Sequence, residues 1–178
     1  MYFPHEISLL ASLIVFHASP IPSFLCSEYW LGLQRMHDIT KNGRWYLRIE
    51  VKYDLDWHDK PSSRQGQTGV GVWESFFVAS EEEEFKLSIG NLIEKENIGD
   101  TDPMRYSNGM KFSTEDNDND NWYDDCAAYH GGGWWHNACY DFCGTCRRDL
   151  PDAGIWYDWT GQEKPSKSSM WIKQEIDN

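Results

Sequence analysis

The chain has 178 residues with 16 basic and 29 acidic side chains, so its formal net charge at pH 7 is −13. This charge argues against nucleic acid or an anionic lipid surface as a partner, and it is compatible with cations or basic surfaces as partners. The length suits one domain and is short for two, while 40% hydrophobic residues argue against a disordered acidic tail. Ten Trp, nine Tyr and eight Phe indicate either a loop-rich domain held by large side chains or a carbohydrate-binding type of surface.

The first 25 residues contain an apolar run over residues 7–16, followed by Ala18 and Ser19, which resembles a secretory signal peptide. No Lys or Arg precedes the run, so a misassigned start of the chain or a buried segment is the alternative. We treat residues 1–26 as a signal peptide or an unrelated segment, and residues 27–178 as the domain. A transmembrane helix needs at least about 18 apolar residues, so no membrane span is predicted.

Helical and strand-like patterns follow in the next third of the chain. Ser27 is a candidate N-cap for a helix through EYWLGLQRMHDIT, with Tyr29, Leu33 and Met36 on one stripe. The segment WYLRIEVKYDL alternates polar and apolar residues and predicts a strand with one buried face. Further strands are predicted over residues 70–78 and 85–89, with the acidic run 81–84 as a solvated hairpin tip.

From Gly90 to about Gly154 the periodicity disappears, and Gly, Asn, Asp, Pro and Ser dominate. A loop region this long is normally functional or disordered, and its cysteines and tryptophans argue against disorder. Two short strands, GIWYDW and SSMWIKQ, are predicted after it.

Within this loop region, Asp116, Asp118 and Asp120 alternate as carboxylates do in calcium loops. The helix-loop-helix calcium motif fails, because Asn121 stands where it needs Gly and Ala127 where it needs Glu. A bound metal would therefore need two side-chain carboxylates plus backbone carbonyls from the residues just after them. The alternative is a solvated acidic loop.

Two other chemistries are weaker on the sequence. The segment HGGGWW resembles the oxyanion segment of some esterases, but the chain has no G-x-S-x-G nucleophile elbow, so an enzyme is not predicted. A zinc cluster is an alternative, and disulfides are favoured over it because a second C-x-x-C is missing. The zinc candidates are His136, Cys139, Cys143 and Cys146.

The order and spacing of several segments resemble the fibrinogen C-terminal domain, the module of fibrinogen chains, ficolins, tachylectins, tenascins and angiopoietins. The resemblance covers about residues 28–173, and its most specific part is NGMKFST with alternating aspartates, followed by CA and GGWW-x-x-x-C. The other matching segments are EYWLGLQRMHDIT, LRIEVKYD, WESFFV, GIWYDW and SSMWIK. It implies an α+β fold with a short helix, a small mostly antiparallel sheet and a long loop-rich calcium and ligand subdomain.

The resemblance also implies a site. One Ca²⁺ would bind the side chains of Asp118 and Asp120 and the main-chain carbonyls of Trp122 and Asp124. Cys126 and Cys139 would form a disulfide, and the peptide bond between Ala138 and Cys139 would be cis. The ligand pocket beside the ion would be formed by His130, Ala138, Cys139 and Tyr140.

Departures from the family pattern bear on this site. Tyr140 replaces the family's usual histidine, and YDFCGTCRRDLPDAG replaces part of the usual pocket wall. Cys143 and Cys146 are extra and would bridge each other or another cysteine, while Cys26 has no evident partner. The family's N-terminal subdomain is absent, which implies a truncated domain, a fragment or a faulty gene model.

The leading functional hypothesis is a secreted, calcium-dependent, lectin-like module that recognises acetylated glycans in innate immunity. The second is an extracellular matrix or signalling module that contacts proteins and uses calcium only for its structure. A third is a fragment too incomplete to fold.

Overall fold

The computed structural model describes residues 11–17, 29–53, 66–147, 165 and 167–175. Its helices are α1 (Leu33–Thr40) and α2 (Cys126–His130). Its strands are β1 (Ala11–His17), β2 (Tyr29–Trp30), β3 (Trp45–Tyr53), β4 (Gln67–Trp73), β5 (Phe77–Val78), β6 (Leu87–Ser88), β7 (Leu92–Glu96) and β8 (Lys167–Gln174). Six of these strands form an antiparallel sheet in the order β2-β1-β8-β3-β4-β7, and β5 pairs with β6. The predicted α+β fold class is confirmed.

The centre of the sheet is formed by β3 and β8. Strand β3 forms because its apolar residues alternate with polar ones, and Leu47, Ile49 and Val51 are fully buried. Strand β8 pairs with β3 on one side and β1 on the other, with Trp45 opposite Gln174 at one end of the β3 register. The strands predicted from WYLRIEVKYDL and SSMWIKQ are therefore confirmed, and the one predicted from GIWYDW lies outside the described residues.

The predicted start of the helix is wrong. Helix α1 begins at Leu33, and Tyr29–Trp30 form β2 and pair with β1 instead. Gly32 explains the difference, because its φ of 92° lies in the left-handed region and turns the chain just before the helix. The signal-peptide assignment of the segment that contains β1 stays a prediction.

The strand predicted over residues 70–78 is also wrong, because it divides into β4 and β5 at Ser75, whose φ is 56°. The strand predicted over 85–89 shrinks to β6 because Phe85 has a φ of 50°. A 3₁₀ turn over Glu81–Glu83 joins β5 to β6, which confirms the hairpin tip. Strand β7 was not predicted, because only two of its five residues, Leu92 and Ile93, are apolar and it lies at the edge of the sheet.

The core joins the sheet to the loop region that follows β7. Trp134, Trp135 and Phe142 are fully buried in the same cluster as the apolar face of β3. The indole N–H of Trp135 donates to the carbonyl of Phe85 at 2.8 Å, so the loop region is fixed to the β5–β6 hairpin. The longest described helix has eight residues, and none of the described helices could cross a membrane.

Candidate calcium loop and ligand surface

The acidic loop over residues 113–126 is anchored on the core. Ser113 and Trp134 exchange two backbone hydrogen bonds of 2.9 and 3.1 Å. Asn119 donates its side-chain N–H to the carbonyl of Phe112 and its backbone N–H to the hydroxyl of Ser113. The loop is therefore attached to buried residues although many of its own side chains are exposed.

Three carboxylates converge in this loop. One oxygen each from Asp118, Asp120 and Asp125 lies within 4.8 Å of the others. Backbone N–H groups orient two of them: Asp120 accepts from Trp122 at 2.8 Å and from Cys126 at 2.9 Å, and Asp118 accepts from Asp120 at 3.1 Å. Each oxygen keeps lone pairs beyond these bonds, so the cluster can still ligate a cation.

The electrostatics of the cluster fit a hard cation. Burial raises the pKa of Asp120, and the neighbouring Asp118 carboxylate raises it too, against the lowering effect of the N–H groups of Cys126 and Trp122. The main-chain carbonyls of Trp122 and Asp124 accept no hydrogen bond within the part of the chain that the structure describes. Clustered carboxylates, together with unused carbonyls, are an oxygen donor set of the kind Ca²⁺ binds.

Sequence analysis did not identify Asp125 as a candidate metal ligand. Its side chain caps α2 by accepting from the N–H of Ala128 at 2.9 Å, and this position turns the carboxylate towards Asp118 and Asp120. An aspartate directly before a short helical segment is the signal that could have revealed it. Asp116 lies outside the cluster, and a hydrogen bond from the hydroxyl of Thr114 lowers its pKa.

The acidic loop is tied to the segment over residues 134–140. Cys126 is disulfide-bonded to Cys139, the pairing that the family resemblance implies. Asn121 donates its backbone N–H to the carbonyl of Asn137 at 2.7 Å, and the two side chains share a further bond of 2.9 Å. The peptide bond between Ala138 and Cys139 is cis, as the resemblance implies. Changes in the acidic loop would therefore reach this segment directly.

Aromatic side chains connect the acidic loop to the predicted ligand residues. Successive ring centroids lie 5.1, 5.5, 4.9 and 4.7 Å apart in a row that we call the aromatic ladder, which consists of Tyr123, Trp122, Tyr129, His130 and Tyr140. The Tyr140 hydroxyl and His130 Nδ1 share a hydrogen bond of 3.2 Å, so the substituted tyrosine is held in place. Tyr123 is 86% exposed and Tyr129 is 62% exposed, so these two rings of the ladder are accessible from solvent.

A separate cleft of about 630 Å³ lies nearby. It is lined by polar residues that include Asp102, Arg105, Tyr106, Asn137 and Asp141. None of the four predicted ligand residues lines it. The structure thus places His130 and Tyr140 together on the ladder, with the exposed Ala138 and the half-buried Cys139 on the adjoining turn.

The two extra cysteines bridge each other, Cys143 to Cys146. This resolves the pairing that the sequence left open, and it occupies two of the four residues of the zinc alternative. Cys139, a third, is occupied by Cys126. Cys26 lies outside the described residues.

Comparison with known proteins assigns this arrangement to a family. The family model for the C-terminal globular domain of fibrinogen beta and gamma chains matches residues 17–175. Tenascin-R of Gallus gallus is 34% identical over 140 residues, which are 76% of this chain and 9% of tenascin-R. Fibrinogen C domain-containing protein 1 of Macaca fascicularis is 30% identical over 151 residues, which are 82% of this chain and 33% of that protein.

A solved structure shows the same fold. The fibrinogen-like globe domain of human ANGPTL6 matches with a TM-score of 0.74 at 22% identity, covering 94% of this chain and 79% of that domain.

This chain spans a third or less of the length of the two sequence relatives, which are extracellular proteins. Domains of this family are recognition and structural modules without enzymatic activity. The prediction that the chain is not an enzyme is therefore confirmed. The chain belongs to the family of fibrinogen C-terminal globular domains.

Proposed function

We propose that this chain is a secreted, calcium-binding recognition module whose ligands are acetylated glycans or chemically similar groups. Calcium would be held by the side chains of Asp118 and Asp120 and by the carbonyls of Trp122 and Asp124. Asp125 completes the set, because its carboxylate lies within 4.8 Å of the other two. The ligand would bind at His130, Ala138, Cys139 and Tyr140.

The observation that carries this proposal is the aromatic ladder running from the acidic loop to the predicted pocket. Flat aromatic faces stack on the apolar faces of sugar rings and on acetyl methyl groups, while hydroxyl and imidazole groups hydrogen-bond their polar atoms. The ladder offers both, since Tyr129 is exposed and the Tyr140 hydroxyl is held against His130.

Calcium would act through the position of the ladder. Asp120 accepts from the N–H of Trp122, so a half-buried residue of the ladder is bonded to a proposed calcium ligand. A divalent cation would remove the repulsion between the carboxylates and hold the loop, and with it Trp122, in one arrangement.

A protein-binding function is the second candidate. Tyr123 and Tyr129 are exposed, and exposed tyrosines near a rigid centre are typical of residues that dominate protein interfaces. Tyr140 in place of the family's histidine also favours a ligand other than an acetylated sugar. Calcium would then have only a structural role.

A glycan array that includes acetylated sugars, probed with the full chain in Ca²⁺ and again in a chelator, tests the proposal. We expect binding that the chelator abolishes and that Tyr129→Ala weakens. Tyr106→Ala is the matched control, because Tyr106 is 37% exposed but lies outside the ladder. Silence across acetylated ligands by a folded, calcium-loaded chain would overturn the glycan assignment and favour the protein-binding one.

A further inference from the structure

A second cluster of metal-ligating side chains lies apart from the acidic loop and is fully buried. It consists of His136, Cys143 and Cys146, and one ring nitrogen of the histidine and the two sulfurs all lie within 4.8 Å of one another. His136 is 0% exposed, Cys143 3% and Cys146 4%. Neither the fold nor the proposed function uses this combination of an imidazole and a cysteine pair.

The histidine in this cluster has an unsatisfied nitrogen. His136 Nε2 lies 3.0 Å from the carbonyl of Gly132, and because a carbonyl only accepts, Nε2 carries the proton. The lone pair is then on Nδ1, which is buried and has no hydrogen-bond partner in the described part of the chain. Metal-binding histidines characteristically donate their other N–H to a backbone carbonyl in this way.

Burial also keeps this imidazole in the form that binds metals. It lowers the pKa of His136, offset in part by the hydrogen bond to the Gly132 carbonyl and by the carboxylates of Asp125 and Asp118, so the ring is neutral at neutral pH. A buried acceptor without a donor is costly to a fold, and a bound cation is one way to satisfy it.

The cysteine loop is held against this histidine by backbone contacts. The N–H of Cys146 donates to the sulfur of Cys143 at 3.1 Å, an arrangement that would stabilise a thiolate there. The hydroxyl of Thr145 donates to the carbonyl of Gly133, and the N–H of Arg147 donates to the carbonyl of His130 at 3.0 Å. These two contacts do not involve the disulfide, so they can hold the loop in place when it is reduced.

Gly132 makes the close approach of this loop feasible. A Cβ at Gly132 would lie 2.4 Å from the carbonyl oxygen of Thr145, so only glycine fits between the two segments. The same residue accepts the hydrogen bond that fixes the tautomer of His136.

We propose that in the reduced chain His136 Nδ1 and the thiolates of Cys143 and Cys146 bind a thiophilic divalent cation of the zinc class, and that the disulfide and the metal exclude each other. A thiol reductant supplies two electrons and two protons, so the disulfide becomes two thiols and two reductant thiols become a disulfide. The cation then displaces the two thiol protons as it binds. Water would fill the fourth position.

The donor set separates this site from the acidic loop. Sulfur and imidazole suit zinc, whereas calcium takes oxygen ligands, so the two ions should not compete. Donor atoms around a tetrahedral zinc ion lie about 3.5 to 3.8 Å apart, which the 4.8 Å cluster accommodates with side-chain rotation.

Titration of the full chain with Co²⁺ in excess Ca²⁺ tests the proposal, because cobalt absorbs visibly when thiolates coordinate it. After reduction by a phosphine and anaerobic removal of the reductant, we expect one Co²⁺ per chain with sulfur charge-transfer bands that Zn²⁺ abolishes. The oxidised chain should show neither. Cys143→Ser and Cys146→Ser should each remove the bands.

Two further variants assign the ligands. His136→Gln should weaken binding at least by the tenfold to hundredfold that loss of an outer-shell partner typically costs. The paired change Cys126→Ser with Cys139→Ser removes the other bridge and should leave the bands intact. Near-ultraviolet circular dichroism checks that each variant is folded. If His136→Gln does not fold, the two single serine variants still test the site.

Three results would overturn the assignment. The first is an unchanged cobalt spectrum in folded His136→Gln, which removes the histidine from the site. The second is a spectrum that survives in Cys143→Ser but disappears when Cys126 and Cys139 are replaced. The third is equal binding by the oxidised and reduced chains.

Discussion

Asp118 and Asp120 are the residues on which the proposed calcium binding most depends. Replacing either with Asn removes a charge at nearly constant volume and keeps an oxygen that can still accept the backbone N–H bonds. We expect each variant to lose the rise in melting temperature that Ca²⁺ produces in the parent chain. At 100 times the dissociation constant, an ion that binds only the folded state adds about 2.7 kcal/mol, which is about 5 to 10 °C for a domain of this size.

Asp116→Asn is the matched control for this prediction, since Asp116 belongs to the same acidic run but lies outside the cluster. Its calcium response should equal that of the parent chain. Equal responses in Asp118→Asn and the parent would show that the ion, if bound, lies elsewhere.

Single residues were predictable where their spacing carries the signal. Alternating carboxylates at 116, 118 and 120 are visible in the sequence, the family resemblance selects 118 and 120 among them, and the structure brings these two together. The third carboxylate, Asp125, was not predicted because it reaches the cluster through the geometry of a helix cap. The free nitrogen of His136 is likewise invisible in the sequence, because it depends on which carbonyl lies beside the ring.

Helix α2 has only five residues, so its first turn depends on its cap. Asp125→Ala removes the bond to the N–H of Ala128 and should lower stability by about 1 kcal/mol even without calcium. Asp125→Asn keeps a good cap and removes the charge. We therefore expect the asparagine variant to melt near the parent in a chelator but to gain less from Ca²⁺, as measured by thermal melts in both conditions. Equal calcium gains in the asparagine variant and the parent would limit Asp125 to capping.

Elements with a strong local pattern were predictable, and those fixed by backbone turns were not. Strand β3 alternates over its whole length, and its burial follows that alternation. The start of α1 and the division between β4 and β5 depend on residues with positive φ, Gly32 and Ser75. Strand β7 is mostly polar because it lies at an edge, so the sheet it joins determines it more than its own residues do.

The two disulfides constrain the whole molecule unequally. Cys126 and Cys139 are 13 positions apart, and closing such a loop should stabilise the fold by about 3 kcal/mol in the chain-entropy account. Cys143 and Cys146 are 3 positions apart, which gives about 1.6 kcal/mol. We expect the paired serine change at 126 and 139 to lower the melting temperature about twice as much as the pair at 143 and 146.

Calcium should modify this difference. The longer bridge links the acidic loop to the segment with Asn137, so its loss should also reduce the calcium response. Neither cysteine of the shorter bridge belongs to the acidic loop. Thermal melts of both pairs with and without Ca²⁺ measure this, and equal calcium responses would show that the longer bridge does not support the loop.

The sheet as a whole depends on β8. It lies between β1 and β3, so deleting residues 167–178 would leave two strands with open edges inside the sheet. We expect the deleted chain to lose its cooperative thermal transition and to aggregate, as seen by calorimetry and light scattering. A cooperative melt in the deleted chain would show that the remaining strands close the sheet without β8.

The position of β8 has a consequence for synthesis. The five other strands described in the sheet precede it in sequence, so all five leave the ribosome before β8 is available to pair with β1 and β3. During that interval the nascent chain exposes two templates for adding a foreign strand, at a time when neighbouring polypeptides are close by. Chaperones that shield those two edges until β8 has emerged should therefore reduce aggregation of the nascent chain.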